Sequence, residues 1–298
     1  MEQPLEKKLL LIVNPVSGKK TIVRYLPQVI RIFMDAGYLV TTMVTAGRGD
    51  ATRLAEQYAR QFDLIVCTGG DGTMNETLTG LVRGKTCVPI GYIPCGSTND
   101  FAVSHGLPTD IPEAAEAIAH GKTRCYDLGC FEDRIFTYVA AFGAFVSLSY
   151  TTDQNLKNLF GHAAYLLGGI SDLAQIKPIP LKVTADGAVY DGEFLFGAVC
   201  NTISIAGAIE LPVGLEETAD GLLEVLLVRV PETLVELNDI VVGLLTQDYT
   251  SPCMDLIKAK EIVFETEEPM TWSLDGEASE PYRKVRITPL SDFFYLQS

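Results

Sequence analysis

The chain of 298 residues carries a formal net charge of −15, and 47% of its residues are apolar while 20% are charged. This composition is typical of a globular protein with sizeable cores, and the length favours two domains or one large α/β unit. Because nucleic-acid binding depends on clustered Lys and Arg side chains, the acidic balance argues against a nucleic-acid partner. It also argues against strong attraction of the whole molecule to anionic membranes, although a local basic face could still dock there.

Cysteine usage and the length of the apolar runs predict the compartment. Seven cysteines are scattered without a CxxC pair, and the three histidines lie at no metal-ligand spacing. This pattern is typical of reduced thiols in a cytosolic protein and argues against a zinc site. The first apolar run, residues 9–13, is too short for a signal peptide, and no run approaches the ~18 apolar residues of a membrane span. We therefore expect a soluble, cytoplasmic protein without a transmembrane segment.

Strands and helices alternate through the first 120 residues. Helical spacing predicts helices at residues 25–36, 50–62 and 111–120 and one that begins near Met74. Short apolar runs predict strands at residues 9–13, 38–44, 64–67 and 88–93. This alternation is typical of an α/β domain with a doubly wound, mostly parallel sheet, in which ligands collect at the loops that leave the strands.

Near residue 127 the pattern changes to a run of strands, which predicts an antiparallel β-sandwich with helices inserted near 155–175 and 231–245. Asp186-Gly187 and Asp191-Gly192 read as turn pairs between strands. We expect an α/β domain over residues 1–128, rejoined by residues 289–298, and a β-sandwich domain over residues 129–288. The predicted strands span 135–139, 141–149, 181–185, 194–200, 222–230, 261–266, 270–274 and 284–288.

A glycine-rich turn follows the buried strand 64–67 and precedes a helix. Glycines at 69, 70 and 72 allow the main chain to approach a ligand closely, and N–H groups at a helix start can hold a phosphate. Asp71 lies among them, and a carboxylate facing phosphates requires a divalent cation between the two, which suggests Mg²⁺ with a nucleotide. The alternative is an ordinary strand-to-helix turn with Asp71 as its N-cap.

A second polar loop, residues 96–101, follows the next strand and contains Ser97, Asn99 and Asp100. Loops at neighbouring strand ends can face one crevice, so Asp71 and Asp100 could share a metal directly or through water. The alternative is an Asx turn that caps a short helix. Asp127, at the domain junction, is a third carboxylate and a weak signal by itself.

In the second half, Asp275 and Glu277 end a predicted strand. Two carboxylates one residue apart project similarly from extended chain, which would suit a general base near a metal. The same Asp-Gly-Glu tripeptide occurs at Asp191, where a hairpin turn explains it, and spacing alone does not choose between the two. Asp220-Gly-Leu222 reads as a turn or a small cation loop.

Taken together, these motifs make the chain similar to the bacterial diacylglycerol kinase-type lipid kinases, whose catalytic domain is related to those of sphingosine kinases and, more distantly, NAD kinases. The motifs appear in family order and cover nearly the whole chain. They are Asn14-Pro15 with Ser17-Gly18, Thr45 before Gly49-Asp-Ala51, Gly69-Gly-Asp-Gly-Thr73 with Asn75-Glu76, Gly96-Ser-x-Asn-Asp-Phe101, Asp127-Leu-Gly129, Asp220-Gly-Leu222 and Leu274-Asp-Gly-Glu277.

The resemblance implies an NAD kinase-like α/β domain and a β-sandwich domain with the active site in the cleft between them. It implies a catalytic Mg²⁺ organised by Asp71, Asp100 and Asp127, and Asp275 with Glu277 as the base on a lipid hydroxyl. Asp220, the carbonyl of Leu222 and Glu217 match a second, structural Mg²⁺ site. The residues implied to hold ATP are Asn14, Pro15, Ser17, Gly18, Thr45, Gly69, Gly70, Asp71, Gly72, Thr73, Asn75, Glu76, Ser97 and Asn99.

The expected function is therefore an ATP-dependent lipid kinase that phosphorylates diacylglycerol or a similar lipid during transient contact with the inner face of the membrane. The alternatives are an NAD kinase-like enzyme and an inactive nucleotide- or lipid-binding regulator. The protein could also form a homodimer. The chain departs from the family pattern at three places. Ser97 replaces a threonine, Ala219 replaces an acidic residue beside Asp220, and the expected glycine-rich segment reads Ile205-Ala-Gly-Ala208.

Overall fold

The fold is taken from a computed structural model that describes residues 7–18, 20–97, 99–143, 178–201, 204–205, 209–210 and 219–298. The chain forms two compact units, one of Met1–Asp127 with Ser291–Ser298 and one of Leu128–Leu290. We call them the N-terminal and C-terminal units. The helix predicted near residues 155–175 lies outside the described residues. Among the helices that are described, none is long and apolar enough to cross a membrane.

The N-terminal unit contains a parallel sheet in the strand order β2-β1-β3-β4-β17, as predicted. Its strands are β1 (Lys7–Val13), β2 (Tyr38–Val44), β3 (Leu64–Gly69) and β4 (Ile90–Pro94). Strands β5 (Thr123–Phe131) and β17 (Tyr282–Gln297) continue from one unit into the other, and Leu296 of β17 pairs with Ile90. The helices are α1 (Ile22–Asp35), α2 (Asp50–Tyr58), α3 (Asp71–Arg83), α4 (Asp100–Ser104) and α5 (Ile111–His120), and a 3₁₀ turn covers Ala59–Gln61.

Both faces of this sheet are buried, which explains why its central strands are continuous apolar runs. Leu9, Leu11 and Val13 pack in one core with residues of α1 and α5. Leu10 and Ile12 point to the opposite face because side chains alternate along a strand, and they are equally inaccessible to solvent. Among the helices that cover the sheet, α1 packs against α5 and α2 packs against α3. The arrangement is the doubly wound fold that the alternation predicts.

The C-terminal unit is a sandwich-like set of antiparallel strands, also as predicted. Its one described helix is α6 (Leu234–Thr246), which begins with a capping box between Thr233 and Glu236. Strand β13 (Met254–Ala259) was not predicted. It lies at the edge of its sheet, most of its side chains are only partly buried, and its sequence shows no clear alternation of apolar and polar residues. The strands are β6 (Arg134–Phe136), β7 (Val139–Gly143), β8 (Ile179–Ala185), β9 (Ala188–Cys200), β10 (Ser204–Ile205), β11 (Ile209–Glu210), β12 (Leu223–Arg229), β13 (Met254–Ala259), β14 (Ile262–Met270), β15 (Ser273–Leu274) and β16 (Glu277–Ala278).

The long strand β9 organises this unit. Its first half pairs with β8, and its second half lies between β7 and β12. An aromatic core containing Trp272, Phe142 and Phe264 packs against β9. A second core includes Ile240 and Leu244 of α6. Because residues from both cores line β9, residues 194–200 are all buried. Residues 188–193 are exposed or only partly buried.

One predicted turn in this unit is correct and one is wrong. Asp186 and Gly187 have φ angles of 46° and 88° and connect β8 to β9, as a two-residue hairpin turn of the primed type requires. Asp191-Gly192 is instead strand, because β9 stays in register with β8 past this point and pairs Lys182 with Asp191.

The packing of α2 on α3 predicts opposite effects for two glycines of α3. A Cβ on Gly80 would lie 2.3 Å from the Thr52 carbonyl oxygen, whereas a Cβ on Gly72 would meet no atom within 4 Å. We expect Gly80→Ala to lower the free energy of unfolding by about 1–3 kcal/mol through overpacking. We expect Gly72→Ala to raise it by up to about 1 kcal/mol through helix propensity. Urea unfolding measures both, and equal effects of the two substitutions would contradict this packing.

Candidate functional site

The glycine-rich turn of the N-terminal unit positions Asp71 as the first residue of α3. Gly70 is the N-cap, with extended backbone, so the alternative in which Asp71 caps the helix is wrong. The Asp71 carboxylate instead accepts a hydrogen bond from the main-chain N–H of Phe101, with 3.1 Å between N and Oδ1. The carboxylate therefore joins the start of α3 to the start of α4. N–H groups in the first turn of a helix have no partner within the helix and carry partial positive charge.

Three loops meet at this point because glycine lets their main chains come close. A Cβ on Gly96 would lie 2.7 Å from the Cα of Gly70, and one on Gly18 would lie 2.3 Å from the carbonyl oxygen of Cys95. Gly18 also has a φ angle of +50°, which favours glycine. The loops that leave β1, β3 and β4 thus touch main chain to main chain beside Asp71. The glycines at 69, 70 and 72 predict close approach of the main chain at this turn. The contact of Gly96 with Gly70 was not predicted.

Side chains then fasten the loop after β1 to α3. Asn14 Nδ2 donates a hydrogen bond to Thr73 Oγ1 at 2.9 Å, and Asn14 Oδ1 accepts one from the Val16 N–H at 3.2 Å. Pro15 lies at the turn within this loop, followed by Ser17, whose Oγ would lie 3.6 Å from a Cβ on Gly70. These contacts bring most of the residues predicted for the first loop beside the start of α3.

Two acidic side chains accept hydrogen bonds from main-chain N–H groups of the loop after β2. Asp50 Oδ2 accepts hydrogen bonds from the N–H groups of Ala46 and Gly47, and Glu76 Oε1 accepts one from Gly49 at 2.8 Å. The hydrogen bond from Ala46, and the Arg53 side chain, lower the pKa of the Asp50 carboxyl below its ordinary value. Thr45 is the first residue of this loop and is buried. Glu76, predicted to contact nucleotide, positions this loop, and Asn75 accepts a hydrogen bond from Thr79 on the same helix.

The polar loop after β4 is built around Asn99. Its side chain accepts a hydrogen bond from the Gly96 N–H at 2.7 Å and donates one to the Gly96 carbonyl, while its backbone adopts the left-handed conformation. Asn99 is the N-cap residue of the five-residue helix α4, so the short helix of the alternative explanation is present. Ser97 is exposed in this loop.

An aromatic cluster anchors α4. Phe101 stacks on His105 with 4.1 Å between ring centroids and contacts Tyr92 and Phe294, while His105 meets the edge of Tyr126. His105 Nδ1 lies 2.9 Å from the Phe101 carbonyl oxygen, which fits a neutral ring that donates this hydrogen bond. Burial lowers the pKa of His105 to about 4, only partly opposed by that hydrogen bond.

The predicted catalytic metal ligands are placed as follows. Asp71 and Asp100 are the first residues of α3 and α4, and Asp127 is a buried residue of β5. The Asp100 side chain is outside the described part of the structure. Within that part, no three His, Cys, Asp or Glu side chains are gathered closely enough to hold a metal ion by themselves.

In the C-terminal unit, Asp275 is held by four hydrogen-bond donors. Its Oδ2 accepts bonds from the N–H and the hydroxyl of Thr137, at 2.6 and 2.8 Å, and its Oδ1 accepts bonds from the N–H groups of Tyr138 and Val139. Four donors match the four lone-pair sites of a carboxylate. Burial raises the pKa of the Asp275 carboxyl, and these hydrogen bonds oppose the rise.

The expectation that Asp275 and Glu277 project together from extended chain is wrong. Asp275 and Gly276 have φ angles of 49° and 84° and form the two-residue turn between β15 and β16. Asp275 therefore turns back toward residues 137–139, whereas Glu277 lies beyond the turn and is exposed. Of the two Asp-Gly-Glu tripeptides, the turn is at Asp275 and the strand is at Asp191, whereas a hairpin turn was expected at Asp191 and extended chain at Asp275.

The predicted second metal site is described only in part. Asp220 Oδ1 accepts a hydrogen bond from the Leu222 N–H at 2.9 Å, as in an Asx turn, and Glu217 lies outside the described residues. Beside this turn, Glu224 is almost completely buried, and the ammonium group of Lys258 lies 3.5 Å from its carboxylate. Burial raises the pKa of Glu224 to about 7, and Lys258 lowers it in opposition.

Comparison with known proteins agrees with this architecture. The sequence profile described as the diacylglycerol kinase catalytic domain matches residues 8–131, and that of the YegS C-terminal NAD kinase beta sandwich-like domain matches residues 142–290. A diacylglycerol kinase of Bacillus subtilis (strain 168) is 32% identical over 91% of this chain and 90% of the relative.

Solved structures show the same fold. A diacylglycerol kinase from Bacillus anthracis str. Sterne has a TM-score of 0.77 and 26% identity, and the match covers 98% of this chain and 96% of that chain. An NAD kinase from Archaeoglobus fulgidus, solved in complex with ATP, has a TM-score of 0.51 and 15% identity over 98% and 93% of the two chains.

An α/β unit that matches the diacylglycerol kinase catalytic domain, followed by a unit that matches an NAD kinase beta sandwich-like domain, defines a class of kinases. Within that class, the chain belongs to the diacylglycerol kinase family. The family had been expected from the ordered set of motifs, and the full-length match confirms it.

Sequence reasoning did not single out Thr137, Glu224 or Lys258. Thr137 contacts Asp275 across 138 positions of sequence, and Lys258 meets Glu224 across adjacent strands. The acidic residue in the otherwise apolar strand β12 was the one available signal for Glu224, since a charge in such a run requires a partner.

The neutral state of His105 predicts acid sensitivity of the N-terminal unit. An ordinary histidine binds a proton near pH 6.5, so the unfolded chain takes up a proton in a range where folded His105 does not. The stability that depends on this group is present above pH 6.5 and is lost as the pH falls towards 4. Between pH 7.5 and 5 we expect a loss of about 2 kcal/mol that His105→Phe does not show, measured by urea unfolding. Equal pH dependence in both proteins would contradict a buried neutral His105.

Proposed function

We propose that this protein is an ATP-dependent lipid kinase that transfers the γ-phosphoryl group of ATP to the hydroxyl of diacylglycerol or a similar lipid. The lipid oxygen forms the new P–O bond, the bond from the γ-phosphorus to the β–γ bridging oxygen breaks, and ADP leaves. The hydroxyl proton passes to Asp275. With diacylglycerol as the acceptor, the product is phosphatidic acid.

The observation that carries the proposal is the meeting of three glycine-lined loops beside Asp71 at the start of α3. Glycine at these positions adds no Cβ beside the start of α3, where N–H groups can bind a phosphate. The ATP-holding residues are proposed to be those of the three strand-end loops together with Thr45. Glu76 acts indirectly, since it already supports the loop of Gly49.

The residues present fit a magnesium ion. Asp71 is a carboxylate beside the phosphate cradle, where its charge would repel phosphates without a cation between them. Asp71, Asp100 and Asp127 would hold the ion, which neutralises the phosphate charge when bound. The residues themselves contribute position, because Asp71 is fixed by the Phe101 N–H and α4 by its aromatic cluster.

Asp275 is proposed as the general base. Three of its four donors are main-chain N–H groups, which hold the carboxylate in one orientation. Burial makes the carboxylate more basic, and the Thr137 hydroxyl, the one donor that is not main chain, would rotate away to leave a lone pair for the incoming proton. Glu277 is exposed and is given only an auxiliary part.

The acceptor is a membrane lipid, so the protein is proposed to be cytoplasmic and to meet the inner face of the membrane transiently. Two other functions compete with this one. An NAD kinase-like enzyme would use NAD as the acceptor, and a regulator would bind nucleotide or lipid without turnover. ADP release measured with diacylglycerol in mixed micelles, with NAD and without acceptor separates the three. Turnover that requires diacylglycerol supports the proposal, and turnover with NAD alone overturns it.

The proposed base predicts a large loss of turnover for Asp275→Asn. General bases contribute about 10²- to 10⁴-fold to the rate, so kcat should fall by that factor. The matched control is Asp191→Asn in the second Asp-Gly-Glu tripeptide, which is exposed on β9 and should keep full activity. Because an asparagine amide would face donors in this turn, ATP binding and the unfolding midpoint are measured alongside. Normal kcat in Asp275→Asn removes this residue from the mechanism.

The cradle predicts a selective effect on ATP for Gly96→Ala. Its Cβ would press on Gly70 at 2.7 Å and separate the two loops. We expect the KM for ATP to rise about tenfold or more, while the KM for lipid changes little, since the altered loop is part of the proposed nucleotide site. Gly47→Ala, which meets no atom within 4 Å, is the control. An unchanged KM for ATP would place the nucleotide elsewhere.

A further inference from the structure

The ammonium group of Lys258 lies between two carboxylates in the C-terminal unit. Lys258 Nζ is 3.5 Å from Glu224 Oε1 and 3.8 Å from Asp220 Oδ2. Glu224 is on β12, and its cross-strand neighbours are Cys200 on β9 and Lys258 on β13. The strand register therefore fixes the lysine beside the glutamate, and the turn before β12 brings Asp220 to the same place.

Glu224 needs a cation at this position. Its side chain is 1% exposed, and neither carboxylate oxygen has a hydrogen-bond partner within the described part of the structure. A buried carboxylate without hydrogen bonds is strongly unfavourable unless a positive charge lies within a few ångströms. Lys258, whose side chain is 36% exposed, supplies that charge.

The family resemblance implies a structural Mg²⁺ at this same turn, on Asp220, the carbonyl of Leu222 and Glu217, of which Glu217 lies outside the described residues. Mg²⁺ binds six oxygens at about 2.1 Å and is repelled by a neighbouring ammonium group. Here one oxygen of Asp220 accepts the Leu222 N–H, and the other lies near Lys258. Ala219 also stands where an acidic residue would add a further oxygen ligand. The described residues therefore do not fit the ion.

We infer that the Lys258 ammonium group is the internal cation of this site and takes the place of the second magnesium ion. A tethered monovalent cation neutralises the buried Glu224 and holds the Asp220 turn against β13. The fold of the C-terminal unit would then be independent of divalent cations. This inference does not rest on the proposed reaction, because its tests use neither nucleotide nor lipid.

A magnesium titration of the nucleotide-free protein tests the absence of the ion. The unfolding midpoint is measured by calorimetry from zero to 10 mM MgCl₂ in the native protein and in Asp220→Asn. We expect no saturable rise that depends on Asp220, so a rise of equal size in both proteins belongs to another site and agrees with the inference. A saturable rise in the native protein that Asp220→Asn removes overturns it.

Substitution of the lysine tests its role as the counter-ion. Lys258→Met removes the charge beside a buried carboxylate and leaves Glu224 uncompensated, so it should lower the unfolding midpoint by about 6 to 12 °C. Lys260→Met, which removes the same charge from an exposed position two residues away, is the control and should have little effect.

The double variant Glu224→Gln with Lys258→Met keeps the test independent of simple misfolding. It removes both charges, so most of the lost stability should return if the lysine serves the glutamate. A single variant as stable as the native protein, or a double variant no more stable than the single one, would overturn the inference.

Discussion

The close approach of main chain to main chain at Gly70 and Gly96 is the constraint on which the N-terminal unit depends. Parallel strands deliver their loops to one edge of the sheet, but side chains normally keep such loops apart. Glycines at 18, 70 and 96 remove that separation, and Asn14, Asn99 and Asp71 then fasten the loops through hydrogen bonds. The result is that three loops meet at the start of α3 beside the Asp71 carboxylate.

The protein handles its buried carboxylates in two different ways. Asp275 is surrounded by donors, most of them main-chain N–H groups, which orient it without neutralising it. Glu224 has no such donors among the residues that the structure describes, and the ammonium group of Lys258 lies 3.5 Å from it. The first arrangement fixes the direction of a carboxylate through hydrogen bonds, whereas the second places an ammonium group beside it.

The errors in the sequence interpretation have a common physical cause. Asp191-Gly192 and Asp275-Gly276 are identical dipeptides, yet the first is strand and the second is a turn. Local propensity for a turn is the same in both, and the difference is that β9 continues to pair with β8 at Asp191. At Asp275 the donors of residues 137–139 stabilise the turn instead. Strand pairing overrides a weak local preference at Asp191.

By itself the sequence determined the fold class, the family and the loops that form the cradle, because periodicity, glycine spacing and ordered motifs are local properties of the chain. It could not determine that the Asp275 side chain turns toward residues 137–139, that Glu76 accepts a hydrogen bond from Gly49, or that Glu224 pairs with Lys258. Those depend on contacts between residues separated by 27 to 138 positions. Only the tertiary structure decides such contacts, since a strand register or a turn places side chains that no local pattern connects.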